Sequence, residues 1–257
     1  MEDATRQPPV SHASGNPILL IVTGWLAAAA GLTIKPEWAG PLTFVFVCLG
    51  WVLAVGVHEF CHAWVAYRAG DHTVAEKGYL SFDPRRYADL QTTIVFPLLA
   101  LALGGIGFPG GAVYLREDLM RGRWWRAAAS LAGPAGTLAV LIALAAVLRL
   151  WTPPPGQQAL VDAVAFLALL QATALVLNLL PVPGLDGYGA IRAFLPQGAR
   201  VAMRRIEPLA PLILLGLLFF VPAVSSLLFG LAFLITYLMG LPDGPMIAGL
   251  QAFQFWK

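Results

Sequence analysis

The stretch LTFVFVCLGWVLAVGVHEFCHAWVAYRA, residues 42–69, decides how this chain is read. It is apolar and long enough to cross a bilayer, which takes roughly 17–25 residues of helix, yet its second half carries His58, Glu59 and His62. Ionisable side chains are costly in hydrocarbon and are normally kept there for a function. Four positions apart on a helix, His58 and His62 project from one face and can bind a single ion. Glu59 sits beside them; in His-Glu-x-x-His sites that glutamate is not a ligand but takes a proton from metal-activated water.

The surrounding composition agrees with a membrane setting. Hydrophobic residues make up 58% of the 257 and charged residues 12%, with a mean hydropathy of +0.74, where soluble domains are roughly 45–50% apolar. Further apolar runs at 17–34, 126–149 and 159–181 predict spanning helices. The block 209–240 contains Pro222 and predicts either one kinked span or a hairpin. A shorter, Gly-ended run at 92–108 predicts a re-entrant segment, and 72–84, HTVAEKGYLSFDP, a short strand or hairpin. The expected fold is therefore an all-α polytopic membrane protein, with about five to six transmembrane helices, a re-entrant segment and a short β element on the cytoplasmic side.

Residues 1–16 form a polar segment without the compact basic start of a cleaved signal peptide, so the first apolar run reads as a retained helix. Residues 17–208 read as a membrane-embedded core and 209–257 as C-terminal hydrophobic helices and a tail. The polar intervals are too short for a soluble domain. Cys48 and Cys61 lie on one predicted helix about 20 Å apart and cannot pair. A net charge of +2, with no basic cluster interleaved with aromatics, gives no sign of a nucleic-acid partner. Phe253, Phe255 and Trp256 read as interfacial anchors.

Orientation follows from the basic residues, which concentrate on the cytoplasmic side of membrane proteins. If 92–108 enters and returns, Arg6, Arg68, Lys77, Arg85, Arg86, Arg116, Arg121, Arg123, Arg126, Arg192, Arg200, Arg204 and Arg205 share a side, 13 of the 16 Lys and Arg. Only Lys35, Arg149 and Lys257 are left for the other. A full crossing by 92–108 would divide them 9 against 6, with Lys257 unplaced. The re-entrant arrangement is favoured, and it puts the C-terminal ends of 42–69 and 159–181 on the cytoplasmic side.

A catalytic zinc needs a third protein ligand and an open fourth position. His12 and His72 lie in polar segments, so the third ligand is expected to be a carboxylate. Glu37 and Asp162 fall on the far side. Asp71 is about 13 Å along the helix from His62. Glu207 follows Arg204 and Arg205 like a solvated residue, and the side of Asp243 is open. Asp186 is the best choice. It stands in NLLPVPGLDGYG, residues 178–189, where Pro181 and Pro183 stop a helix and Gly184 and Gly187 permit tight turns, so an inward-turned side chain is feasible at membrane depth.

His58-Glu59-x-x-His62 in a membrane helix, followed by Asn178-x-x-Pro181-x-Pro183-x-Leu185-Asp186-Gly187, resembles the site-2 protease family of intramembrane zinc metalloproteases. The resemblance covers about residues 50–190, including the Gly78-to-Pro84 segment and Ser130-Leu-Ala-Gly-Pro134. It implies one Zn2+ per chain held by His58, His62 and Asp186, with Glu59 as general base and acid, and Asn178 helping to hold the oxyanion or the substrate backbone. It also implies a core-only member without an appended regulatory module. Relatives often carry Asn three residues after the Gly-Pro proline; here that position is Thr137, which can still donate a hydrogen bond. Gly133, Pro134, Gly136 and Thr137 otherwise read as permitting close helix packing. By analogy, Ala112, Val113 and Tyr114 offer an edge to which an unwound substrate adds as a strand.

The function this predicts is regulated intramembrane proteolysis: a zinc endopeptidase in the cell membrane, its site opening towards the cytoplasm, cleaving a single-span membrane protein in or near its transmembrane segment. Two rivals stand beside it. One is a membrane protease with a downstream glutamate ligand, for which Glu76, Glu117 and Glu207 are the only later glutamates, all in charged segments. The other is a catalytically silent relative that binds membrane helices or handles metal.

Overall fold

The computed structural model of the chain describes residues 17–83, 101 and 114–257. Ten α-helices are described: α1 (Pro17–Ile34), α2 (Ala39–Ala69), α3 (Thr73–Glu76), α4 (Arg123–Leu150), α5 (Gln158–Leu179), α6 (Asp186–Arg192), α7 (Gln197–Arg204), α8 (Ala210–Phe220), α9 (Pro222–Leu238) and α10 (Asp243–Phe253), with 3-10 turns at Pro36–Trp38 and Glu117–Leu119. Among the described residues there is no strand.

Four helices, α1, α2 with the turn before it, α4 and α5, are long and apolar enough to cross a membrane, and α8 with α9 forms a fifth, bent candidate. Helices suit that setting because each satisfies its own backbone hydrogen bonds where water cannot. Glycine and proline punctuate them. Gly70 ends α2 at φ 118°, its N–H reaching the Ala66 and Tyr67 carbonyls, a left-handed cap that glycine adopts without a Cβ penalty.

α5 is the axis of the bundle: between Ala163 and Asn178 every residue but Val176 is buried. A helix apolar on all sides is what such a position requires. Lipid is as apolar as leucine, so the bundle gains from close packing of small residues rather than from apolar burial alone. A Cβ at Gly50 of α2 would stand 2.7 Å from Leu167 of α5, and one at Gly136 of α4 would stand 2.8 Å from Cys61 Sγ of α2. Leu32, Phe46, Trp51, Leu101, Leu141, Phe166, Ala232 and Met246 complete the main core.

The two ends of the bundle are told apart by contacts. At one, the Arg121 N–H donates to the Ala69 carbonyl at 3.0 Å, Lys77 Nζ donates to the Tyr114 carbonyl at 3.1 Å, and Arg192 pairs with Glu117 and Glu207. The ends of α2 and α5, the starts of α4 and α8, and α6 therefore gather there, together with Tyr114. At the other, Arg149 donates to the Met239 carbonyl at 3.0 Å, and α10 packs on the first turns of α2 and α5, with Phe253 between Phe44 and Phe166. Arg149 stands at the second end, where Lys35 precedes the start of α2 and Lys257 follows α10.

The same contacts decide the block 209–240. It starts beside Glu207 at the first end and finishes beside Arg149 at the second, so it is one broken span rather than a hairpin. The break bends the axis by 94°. Val221 is extended there, and Pro222 offers no N–H to the turn before it.

Two expectations are corrected. Residues 72–83 form no strand: α3 is one helical turn, closed by Lys77 N–H to the Thr73 carbonyl at 3.0 Å and Tyr79 N–H to the Val74 carbonyl at 2.9 Å. Asp71 nucleates it, Oδ1 accepting from the Thr73 N–H and hydroxyl at 3.2 and 2.6 Å. Phe253 is no interfacial anchor either; it is fully buried, whereas Phe255 and Trp256 are about half exposed. Of the run 92–108 only Leu101 is described, buried in the main core; the re-entrant expectation otherwise lies outside the described residues.

Candidate metal centre

α2 carries His58 and His62 on the face that meets α4. His58 stands 11 positions before Ala69, about 16 Å along the axis from the helix end. The rings are 4.7 Å apart, nearly perpendicular, and each Nδ1 has a partner on α4. His62 Nδ1 lies 2.7 Å from the Ala129 carbonyl. A carbonyl only accepts, so that nitrogen carries the proton and Nε2 presents its lone pair. His58 Nδ1 lies 2.9 Å from Thr137 Oγ1, and Thr137 is buried.

Asp186 arrives from the break after α5. Gly184 takes φ +91°, which turns the chain after Pro183, and the Gly187 backbone lies against the Leu179 and Leu180 carbonyls so closely that a side chain would collide with both. α6 is thereby folded back over the end of α5. It also packs on α4 through small residues: Ala190 and Ala193 cluster with Ala127, and a Cβ at Gly189 would stand 2.7 Å from Ser130 Oγ.

The consequence is convergence. Asp186 Oδ2 is 3.2 Å from His58 Nε2, Asp186 Oδ1 is 3.2 Å from His62 Nε2, and the two Nε2 atoms are 3.0 Å apart. Ligands about 2.0–2.1 Å from a tetrahedral zinc stand roughly 3.3–3.4 Å from one another; the Nε2–Nε2 separation and the two nitrogen–oxygen separations, each to a different carboxylate oxygen, are close to that length. Two further observations fit a cation. Asp186 Oδ2 is buried without a hydrogen-bond partner. Gly133, between Ala129 and Thr137 on α4, keeps the space clear: a Cβ there would stand 2.6 Å from His58 Nε2 and closer still to His62 Nε2. Among the described residues this is the group able to hold a metal.

The other expected residues are placed less uniformly. Glu59 is 2% exposed and Asn178, in the last turn of α5, 5%. Tyr114 is exposed; Ala112 and Val113 lie outside the described residues. Glu117 and Glu207 pair with Arg192 and Glu76 is exposed, so no later glutamate replaces Asp186. Reading the sequence left Thr137 without a role and missed the Ala129 carbonyl. The signal was present as spacing: 129, 133 and 137 step by four along α4, as 58 and 62 do along α2, and two such stripes can face each other.

No family profile and no solved structure matches the chain. Named relatives do. A protein of Mycobacterium tuberculosis named "Putative zinc metalloprotease Rip2" is 43% identical over 240 residues, 93% of this chain and 91% of the relative. Its namesake in Mycolicibacterium smegmatis is 39% identical over 247 residues, 94% of each. The Bacillus subtilis protein of the same description, YwhC, is 27% identical over 196 residues, 73% of this chain and 86% of that one. With the His-Glu-x-x-His helix and the Leu-Asp-Gly turn meeting at one point inside a multi-pass membrane bundle, this similarity over nearly the whole length means that the chain belongs to the site-2 protease family of zinc metalloproteases.

Proposed function

We propose that the chain is an intramembrane zinc endopeptidase that hydrolyses a peptide bond in or near the transmembrane segment of a single-span membrane protein. The observation that carries this reading is the meeting of His58 Nε2, His62 Nε2 and an Asp186 carboxylate within 3.2 Å of one another, partway along a helix able to cross the bilayer. In this reading those three side chains hold one zinc ion. Zinc, when bound, supplies a Lewis acid that activates water and polarises the scissile carbonyl.

The remaining steps belong to the chain's own residues. Glu59, buried next to His58, accepts the proton of the attacking water and returns it to the leaving amine. The Asn178 amide, in the last turn of α5, donates to the substrate carbonyl or backbone. A substrate helix hides its carbonyls in internal hydrogen bonds and must unwind before one can react; the segment 112–114 provides the edge on which the unwound chain is held. Water and substrate polar groups enter from the end bearing Arg68, Arg121 and Arg192, which the positive-inside rule assigns to the cytoplasm.

The test is Glu59→Gln in liposomes with a candidate single-span substrate. Bound zinc is expected to stay near one per chain while cleavage falls by about 10²–10⁴, the usual worth of a general base. Full cleavage by that variant would remove Glu59 from the mechanism. Wild-type protein that holds zinc yet cuts nothing across a broad substrate panel would favour the silent, helix-binding reading.

A further inference from the structure

The two histidines are held by chemically unlike partners, and only one of these partners is a side chain. His62 leans on the Ala129 carbonyl, a group that no substitution removes. His58 leans on the Thr137 hydroxyl, from a position two turns further along α4. A hydroxyl both donates and accepts, so Thr137 by itself is compatible with either tautomer of His58. Once Nε2 is committed to a cation, Nδ1 must carry the proton and needs an acceptor, and Thr137 Oγ1 is in place at 2.9 Å. Thr137 is 3% exposed, so water is a poor substitute.

We propose that Thr137 is a positioning residue for the metal centre: its hydroxyl accepts the His58 Nδ1–H, aims the Nε2 lone pair at the point shared with His62 and Asp186, and so raises affinity for zinc. The proposal rests on the reading that His58 is a zinc ligand. Such partners of ligating imidazoles orient the ring and raise its basicity, and their loss typically costs 10–100-fold in metal affinity. Thr137→Val keeps the shape and removes the acceptor; Thr137→Ser keeps the acceptor and removes only a methyl.

The experiment uses the full chain in detergent, with zinc affinity measured by competition against a chromophoric chelator and Co2+ used as a spectroscopic probe. Thr137→Val is expected to bind zinc about 10–100-fold more weakly and to change the visible Co2+ bands, while Thr137→Ser stays close to wild type in both. Thr137→Ala serves as a second variant without the hydroxyl, and thermal melting checks that each protein is folded. A merely structural threonine would lower the melting temperature and leave the Co2+ spectrum alone. Unchanged zinc affinity and Co2+ bands in folded Thr137→Val or Thr137→Ala would overturn the proposal. Failure of the underlying reading looks different: wild-type protein without zinc affinity, or affinity that survives His58→Ala, removes the ligand assignment itself.

Discussion

Gly133 shows how narrow the metal centre is at the scale of a single residue. It lies on α4 between the two groups that hold the imidazoles, Ala129 and Thr137, and faces the point where both Nε2 atoms meet. Gly→Ala in a helix is normally favourable by roughly 0.8–1 kcal/mol. At this position the added methyl would occupy the ligand space, and neither ring can swing freely because each Nδ1 is tied to α4. Gly133→Ala is therefore expected to retain its helical circular dichroism while losing stoichiometric zinc, read by metal analysis of the purified protein. A folded variant still holding one zinc would show that the rings can move aside.

At the scale of elements, the place of the candidate ligand Asp186 depends on α6, only seven residues long and unable to hold a position alone. Its start is pressed on the end of α5 by Gly187, its middle rests on α4 through Gly189 and Ala190, and its end is held by Arg192 to Glu117 and Glu207. The ion pairs are partly exposed, the Arg192 side chain at 29%, and such pairs contribute about 1 kcal/mol or less each. Packing, not charge, is then the main restraint. Arg192→Ala is expected to lower unfolding stability by about 1–2 kcal/mol, with near-normal zinc content, as read by thermal or denaturant unfolding in detergent. Loss of zinc at unchanged stability would mean that the ion pairs, rather than the small-residue contacts, place Asp186. Asp71 does comparable work for α2 and α3, its second oxygen accepting the Arg116 N–H at 2.8 Å.

For the whole molecule, Gln197–Arg204 and α10 stand at opposite ends of the bundle, joined through the bent pair α8 and α9. Gly198 and Gly244 both face open space, which makes them suitable reporters. In a background with Cys48 and Cys61 replaced by alanine, Gly244→Cys is expected to react with a membrane-impermeant thiol reagent in intact cells. Gly198→Cys is expected to react only after the membrane is opened. The reverse pattern would invert the orientation, and labelling of both from outside would contradict the broken span formed by α8 and α9.

Much of this protein was legible in its sequence. Membrane helices declare themselves locally, because each must be apolar along its own length, so α1, α2, α4 and α5 were expected nearly at their observed bounds. His58 and His62 were a pair by helical spacing alone, and few carboxylates were available to join them. The helical turn at 73–76 was missed because its cause, the Asp71 carboxylate, lies outside the alternating pattern that suggested a strand. Pro222 announced a break but not its direction; only the contacts of Glu207 and Arg149 at opposite ends made it a span. The same holds at the centre. Residue types and spacing were enough to make α2 the candidate seat of a divalent ion and a general base, since those are properties of one helix. Which carbonyl and hydroxyl hold the rings, why position 133 has no side chain, and that Phe253 is core were decided by tertiary structure, because they depend on how separate helices are aligned against one another.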